Sequence, residues 1–146
     1  MLFRSRIESQ EVLEQRCEVL IPAALGGVIN AENCAKVKAS FIVEGANQPM
    51  TIEADKELRG GGIVIVPDIL ANSGGVMGSY FEWTQNIQQF SWPIDKFRKE
   101  LDSRMANSLN EVFKESRKHS IDLRTAAFVL AVKRVSAAFA LRGHLV

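Results

Sequence analysis

The chain has 146 residues, the length of one domain and enough to bury a real core. Its 18 lysines and arginines balance 17 aspartates and glutamates, which argues against a nucleic acid or an anionic membrane held by bulk charge and favours a small-molecule partner. Hydrophobic residues make up 47% but fall in short runs between charges, so nothing reaches the ~18 to 20 uninterrupted apolar residues of a membrane-spanning helix.

Met1 to Gln15 mixes Arg4, Arg6, Glu8, Glu11 and Glu14 with scattered apolar residues, unlike a signal peptide, and a cytoplasmic location is expected. Glu8 to Gln15 reads as a short helix. Cys17 to Ile21 is an apolar run that stops at Pro22, a strand with its loop, and Asn30 or Ala31 opens a short helix through Lys36. Ser40 to Val43 is the second strand, ending at Glu44. Thr51 followed by acids starts a helix over residues 51–58, and Gly60, Gly61 and Gly62 stop it. Ile63 to Val66 is the third strand. The three runs are continuously apolar, the pattern of parallel strands covered on both faces by helices.

Beyond Asn72 the pattern turns helical. A helix from about Ser73 to Gln89 carries Val76, Tyr80, Trp83 and Ile87 as one stripe. Pro93 suits a first turn, after which Ile94, Phe97, Leu101, Met105, Leu109, Val112 and Phe113 step by threes and fours. His119 and Ser120 break that helix, and Asp122 caps another over Leu123 to Leu141, apolar around most of its circumference and expected to be buried. Cys17 and Cys34 lack a metal-ligand spacing or a disulfide framework and read as reduced, buried residues; no metal site is expected.

In a parallel sheet the three post-strand loops lie along one edge, where open α/β sheets bind ligands. They are Pro22-Ala23-Ala24, Gly45-Ala46-Asn47 and Ala71-Asn72-Ser73-Gly74-Gly75, and they can line a single crevice. Small side chains let a flat ligand approach the backbone, and an asparagine amide suits a ribose hydroxyl or a carboxamide. The bland alternative is that each asparagine makes a local turn, and that Asn72 only caps the next helix. Ser79 follows Asn72 by seven residues and so shares its helix face, about 20° away around the axis, with Val76 between them. Glu44, Asp68 and Glu82 are the nearest acids but show no acid/base spacing; structural ion pairs or solvent exposure are expected for them. His119 and His144 are assigned no catalytic role.

Taken in order, Val19-Leu20-Ile21-Pro22-Ala23-Ala24, Val43-Glu44-Gly45-Ala46-Asn47, the run from Pro67 to Val76, Ser79-Tyr80-Phe81-Glu82-Trp83, Gln85-Asn86 and Asp122 to Ala127 resemble the C-terminal part of the glutamate dehydrogenases. These belong to the wider glutamate, leucine, phenylalanine and valine dehydrogenase family. The resemblance runs from about Glu8 to Gly143, with Met1 to Ile7 looking foreign to it and hinting at truncation. It implies an α/β fold, the second half of a Rossmann-type parallel sheet of about three strands followed by a helical C-terminal region. Residues 1–146 would form a partial dinucleotide-binding domain, about 8–92 the half Rossmann unit with its first long helix and 93–146 the helical region.

The implied activity is oxidative deamination of L-glutamate to 2-oxoglutarate and ammonia, with NAD or NADP as cofactor. By the same resemblance Ala23 and Ala24 lie along the cofactor, Asn47 contacts the nicotinamide ribose and Asn72 holds the nicotinamide end. Val76 walls the substrate side-chain pocket, and Ser79 helps bind the distal carboxylate, which favours glutamate. Three things the family carries upstream are missing here: the glycine-rich Gly-x-Gly-x-x-Gly turn, the amino-acid domain, and that domain's catalytic lysine and aspartate. Lys36, Lys38 and Lys56 sit on predicted helices or turns, so no catalytic residue is assigned to this chain and turnover by it alone is not expected. Two other readings remain open. One is a non-catalytic module pairing with a homo-oligomeric or full-length dehydrogenase chain; the other is a segment of a leucine or phenylalanine dehydrogenase.

Overall fold

The computed structural model describes residues 11–143, so Met1 to Ile7, the expected helical start at Glu8 to Gln10, and His144 lie outside the described residues. The chain divides into two compact units, one ending at Asp68 and the other starting at Ile69.

In the first unit, strands β1 (Val19–Leu20), β2 (Phe41–Val43) and β3 (Val64–Val66) form one sheet in the order β1-β2-β3, all parallel. Side chains alternate across a strand, so the register fixes two rows. Leu20, Ile42 and Ile65 align in one row, buried against Ile29, Cys34, Ala39, Met50, Ala54 and Leu58. Val19, Phe41 and Val64 align in the other and remain 48%, 48% and 39% exposed. Among the described residues the apolar runs therefore do not mean a sheet covered on both faces: one row is core and the other is open.

Among the described residues the 3-10 turn Glu11–Glu14 precedes β1. The helix expected from Asn30 or Ala31 to Lys36 is instead a turn followed by the 3-10 helix Cys34–Lys36. The cause lies in two asparagines. Asn30 Oδ1 accepts the Glu32 N–H (2.9 Å), Asn33 Oδ1 accepts the Asn30 N–H (2.8 Å), and the Asn33 amide donates to the Val28 carbonyl (2.8 Å). Such local bonds compete with α-helical pairing. Helix α1 (Ile52–Gly60) begins as expected, with Thr51 Oγ1 accepting the Ala54 N–H, and the chain leaves it through Gly62 in the left-handed region at φ 86°.

The short helix α2 (Asp68–Ala71) occupies what the sequence suggested was loop, beginning on the first unit's last residue. The second unit continues with α3 (Ser73–Gln88), α4 (Ile94–His119) and α5 (Leu123–Arg142). Phe81 anchors α3 against α4: its ring is buried, 5.7 Å edge-on from Phe97 and 5.4 Å from Trp92 in the connection. The expected stripe of Val76, Tyr80, Trp83 and Ile87 lies exposed on α3, displaced from the buried contact by that single aromatic. Helix α5 starts from an Asp122 cap that accepts the Thr125 N–H. It buries Leu123, Ala126 and Ala127 but leaves Phe128, Val132, Val135 and Phe139 exposed, so the burial expected along its length stops near its first turns. Glu111 pairs with Arg134 and Glu115 with Lys133, clamping α4 to α5.

Candidate functional site

Each strand of the first unit hands its chain to a loop at the same end of the sheet, because all three are parallel. The loops after β1 and β2 are tied to one another by backbone bonds. The Ala46 N–H donates to the Pro22 carbonyl (2.9 Å), and the Gly27 N–H donates to the Gln48 carbonyl (2.8 Å). The loops also approach to contact. A Cβ added to Gly45 would stand 3.0 Å from the Ala23 Cβ, and one added to Gly26 would stand 3.2 Å from the Asn47 carbonyl oxygen. Ala23, Ala24 and Asn47 are exposed on this surface, so the structure brings the first three sequence-chosen residues into adjoining loops. A methyl-lined surface that leaves no room for a larger side chain at Gly45 suits a flat ligand lying against backbone.

Two acids hold backbone at this surface. Glu44, expected to be solvent-exposed or ion-paired, is 0% exposed, and its Oε2 accepts the Asp68 N–H at 2.8 Å. Asp68 in turn accepts the Gln48 N–H on Oδ2 at 2.8 Å. Gln48 adopts φ 47°, a left-handed conformation uncommon for a non-glycine residue, which the bonds on both sides of its backbone hold in place. The available signal was the position of Glu44 itself: an acid directly following a buried apolar run needs a local donor.

The other three residues lie in the second unit, at the start of α3. Asn72 occupies the cap position at φ −99°, ψ 3°, but its side chain makes no capping bond, so capping is not what the amide does. Ser73 instead turns its hydroxyl onto the Leu70 carbonyl at 2.7 Å. Val76 is 72% exposed. Ser79 is exposed and donates to the Gly75 carbonyl at 3.1 Å, one turn back. A hydroxyl has one proton, so holding a carboxylate would require Ser79 to leave Gly75, an exchange of one net hydrogen bond of about 1 kcal/mol for another. A separate cavity of about 190 Å³ in this unit is lined mainly by apolar residues of α2 to α5, including Leu70, Met77, Val112 and Leu130; Asn72, Val76 and Ser79 take no part in it.

Cys34 is buried beside α1. Burial first, and then the hydrogen bond and charge of the Glu57 carboxylate, push its thiol above the ordinary range, so it is a protonated core residue. Cys17 is half-buried rather than buried. Among the described residues no cluster of three or more histidines, cysteines or acids is arranged to hold a metal ion, and no helix is long and apolar enough to cross a membrane.

Residues 3–143 match the family model described as Glutamate/Leucine/Phenylalanine/Valine dehydrogenase. The chain belongs to this family. The match begins inside Met1 to Ile7, so that stretch is not wholly foreign to the family as expected. A glutamate dehydrogenase from Thermotoga maritima is 49% identical over 138 residues, covering 94% of this chain and 33% of that protein. The fold is likewise that of solved dehydrogenases. A hetero-hexameric glutamate dehydrogenase from Thermus thermophilus, in a leucine-bound form, superposes with a TM-score of 0.92 at 34% identity, over 100% of this chain and 35% of its own. The glutamate dehydrogenase of Peptoniphilus asaccharolyticus gives 0.79 at 38% identity, over 84% of this chain and 31% of its own. The chain thus spans about a third of the length of these relatives. These likenesses agree with the resemblance to the C-terminal part of glutamate dehydrogenases and with the Rossmann-type half-sheet. A dehydrogenase family implies oxidoreductase chemistry with a nicotinamide cofactor.

Proposed function

We propose that this chain supplies part of the cofactor and substrate surface of an L-glutamate dehydrogenase that forms 2-oxoglutarate and ammonia with NAD or NADP. The observation that carries the reading is the 49% identity with a glutamate dehydrogenase across 94% of the chain, and the small-residue loop surface around Ala23 and Asn47 supports it. A bound nicotinamide cofactor would supply the hydride acceptor. This chain's residues would bind and orient: Ala23 and Ala24 along the cofactor, Asn47 at the nicotinamide ribose, and Asn72 at the nicotinamide end. Val76 would wall the substrate side chain and Ser79 would donate to its distal carboxylate. Proton transfer would belong to a lysine and an aspartate outside residues 1–146, so these residues by themselves should not turn over glutamate.

The test is reconstitution with a chain carrying the preceding portion of a dehydrogenase of this family, following reduced cofactor at 340 nm. Activity should appear only in the mixture, and Ser79→Ala should weaken glutamate use far more than leucine use. Equal losses would remove the carboxylate contact and favour a leucine or phenylalanine dehydrogenase. Turnover by the unmixed chain would contradict the assignment of proton transfer elsewhere. The second reading, a non-catalytic module that pairs with a full-length dehydrogenase chain, is favoured by the exposed row of Val19, Phe41 and Val64. A complex that forms in the same mixture without activity would support it.

A further inference from the structure

We propose that Glu44 and Asp68 are positioning residues for Asn47, an inference that rests on the reading of Asn47 as a cofactor contact. Asn47 is exposed, in a loop whose backbone is held on both sides. On one side the Ala46 N–H is bonded to Pro22. On the other, Gln48 is held through its carbonyl by Gly27 and through its N–H by the Asp68 carboxylate. Asp68 is in turn fixed by the fully buried Glu44, whose carboxylate takes the Asp68 N–H.

The two acids thus form a relay from the end of β2, across to the first residue of α2, and back to the loop of β2. A buried carboxylate is costly unless hydrogen-bonded, and a non-glycine residue at φ 47° is disfavoured unless its surroundings impose it. Both features stand next to the residue whose geometry matters for binding. Their joint effect is to freeze the Asn47 backbone during folding, so that a ligand does not have to order it. Losing one such constraint leaves a residue to be ordered on binding, which corresponds to about a tenfold loss of affinity.

The probe is β-nicotinamide mononucleotide, titrated into the isotope-labelled chain and followed by NMR, together with amide exchange. Asp68→Ala removes the acceptor for the Gln48 N–H, while Asp68→Asn retains a carbonyl acceptor there. In Asp68→Ala the Gln48 amide should exchange about tenfold faster and mononucleotide affinity should fall about tenfold, with Asp68→Asn restoring both. The Glu44 N–H, bonded to the Val66 carbonyl, should keep its protection, since the sheet is not what changes. Glu44→Gln, which keeps an acceptor for the Asp68 N–H, should behave like wild type, whereas Glu44→Ala should release the loop as Asp68→Ala does. Unchanged Gln48 exchange in Asp68→Ala, or a freed loop with undiminished affinity, overturns the positioning role. Absence of mononucleotide binding by the wild-type chain, with the loop ordered, overturns the cofactor reading beneath it.

Discussion

The contact between Gly45 and Ala23 sets how closely the loops after β1 and β2 approach, and Gly45→Ala tests it. The new methyl would meet the Ala23 Cβ at 3.0 Å, its Cα at 3.4 Å and Ile21 Cγ2 at 3.5 Å. Carbon atoms pack comfortably at about 3.5–4.0 Å, so the loops must separate by roughly half an ångström or more. Overpacking of this kind costs about 1–3 kcal/mol. Gly45 is not in the left-handed region, so alanine is tolerated there and returns about 0.4–1 kcal/mol by restricting the unfolded chain. The net cost is about 1–2 kcal/mol. Amide exchange reports on this site directly: the Ala46 N–H, bonded to Pro22, should exchange about 5–30 times faster. Ala23→Gly removes the opposing methyl and should cancel most of that effect in the double mutant. Gly60→Ala is the control. Its added methyl meets nothing within 4 Å at the end of α1, and the change should stabilise by about 0.5–1 kcal/mol. Unchanged exchange in Gly45→Ala, or acceleration that Ala23→Gly does not relieve, would refute the steric argument.

The raised Cys34 thiol should resist a disulfide reagent at pH 8 while the half-buried Cys17 reacts, both reacting together once denaturant is added; equal native rates would contradict the burial assigned to Cys34. The Lys133 ammonium, with His119 and Lys118 behind it, holds the Glu115 carboxyl below its usual range. The folded state therefore favours the ionised form, and the contribution is present above the usual carboxylate range and lost as pH falls through the depressed value. In urea titrations at pH 6 and pH 3, the gap between wild type and Glu115→Gln should close at the acid end, and a gap independent of pH would dissociate the clamp from ionisation. Ile42→Ala should cost about 2–5 kcal/mol because Ile42 is fully buried, whereas Phe41→Thr on the open row should cost less than about 1 kcal/mol in the same titrations.

The three strands and four of the helices were legible because each carries its own signal: apolar runs ending at Pro22, Glu44 and Pro67, the Thr51 and Asp122 caps, and the long periodicity from Ile94. What failed to show was set by contacts distant in sequence. Val19, Phe41 and Val64 are as apolar as Leu20, Ile42 and Ile65, and only the register tells which row meets α1 and the loops. Helix α2 was hidden by its brevity: four residues carry too little periodicity to distinguish a turn of helix from a loop. Asn30 and Asn33 carried the opposite message, since their side chains close local bonds in place of the helix their neighbours suggested. At the candidate site the adjoining loops that carry Ala23, Ala24 and Asn47 were legible from their position after strands. The relay through Glu44 and Asp68 was not, because it joins residues 24 apart through a backbone N–H that no spacing rule marks.

These differences share a physical cause. A hydrophobic pattern records which surfaces leave water, but not whether the covering surface lies in the same chain. In the first unit the buried row is matched by Ile29, Cys34, Met50, Ala54 and Leu58, while the open row has no such set among the described residues. In the second, α5 repeats Phe128, Val132, Val135 and Phe139 along one exposed stripe at helical spacing. Isolated exposed apolar residues are ordinary, but rows in register and stripes in phase are not. The polar groups near Asn47 follow the opposite logic. Glu44, Asp68, Ala46 and Gln48 find partners within the first unit, so the geometry of that loop is fixed locally, whereas the apolar rows stay open among the described residues. That division of labour is why the proposed cofactor surface can be tested on this chain by itself.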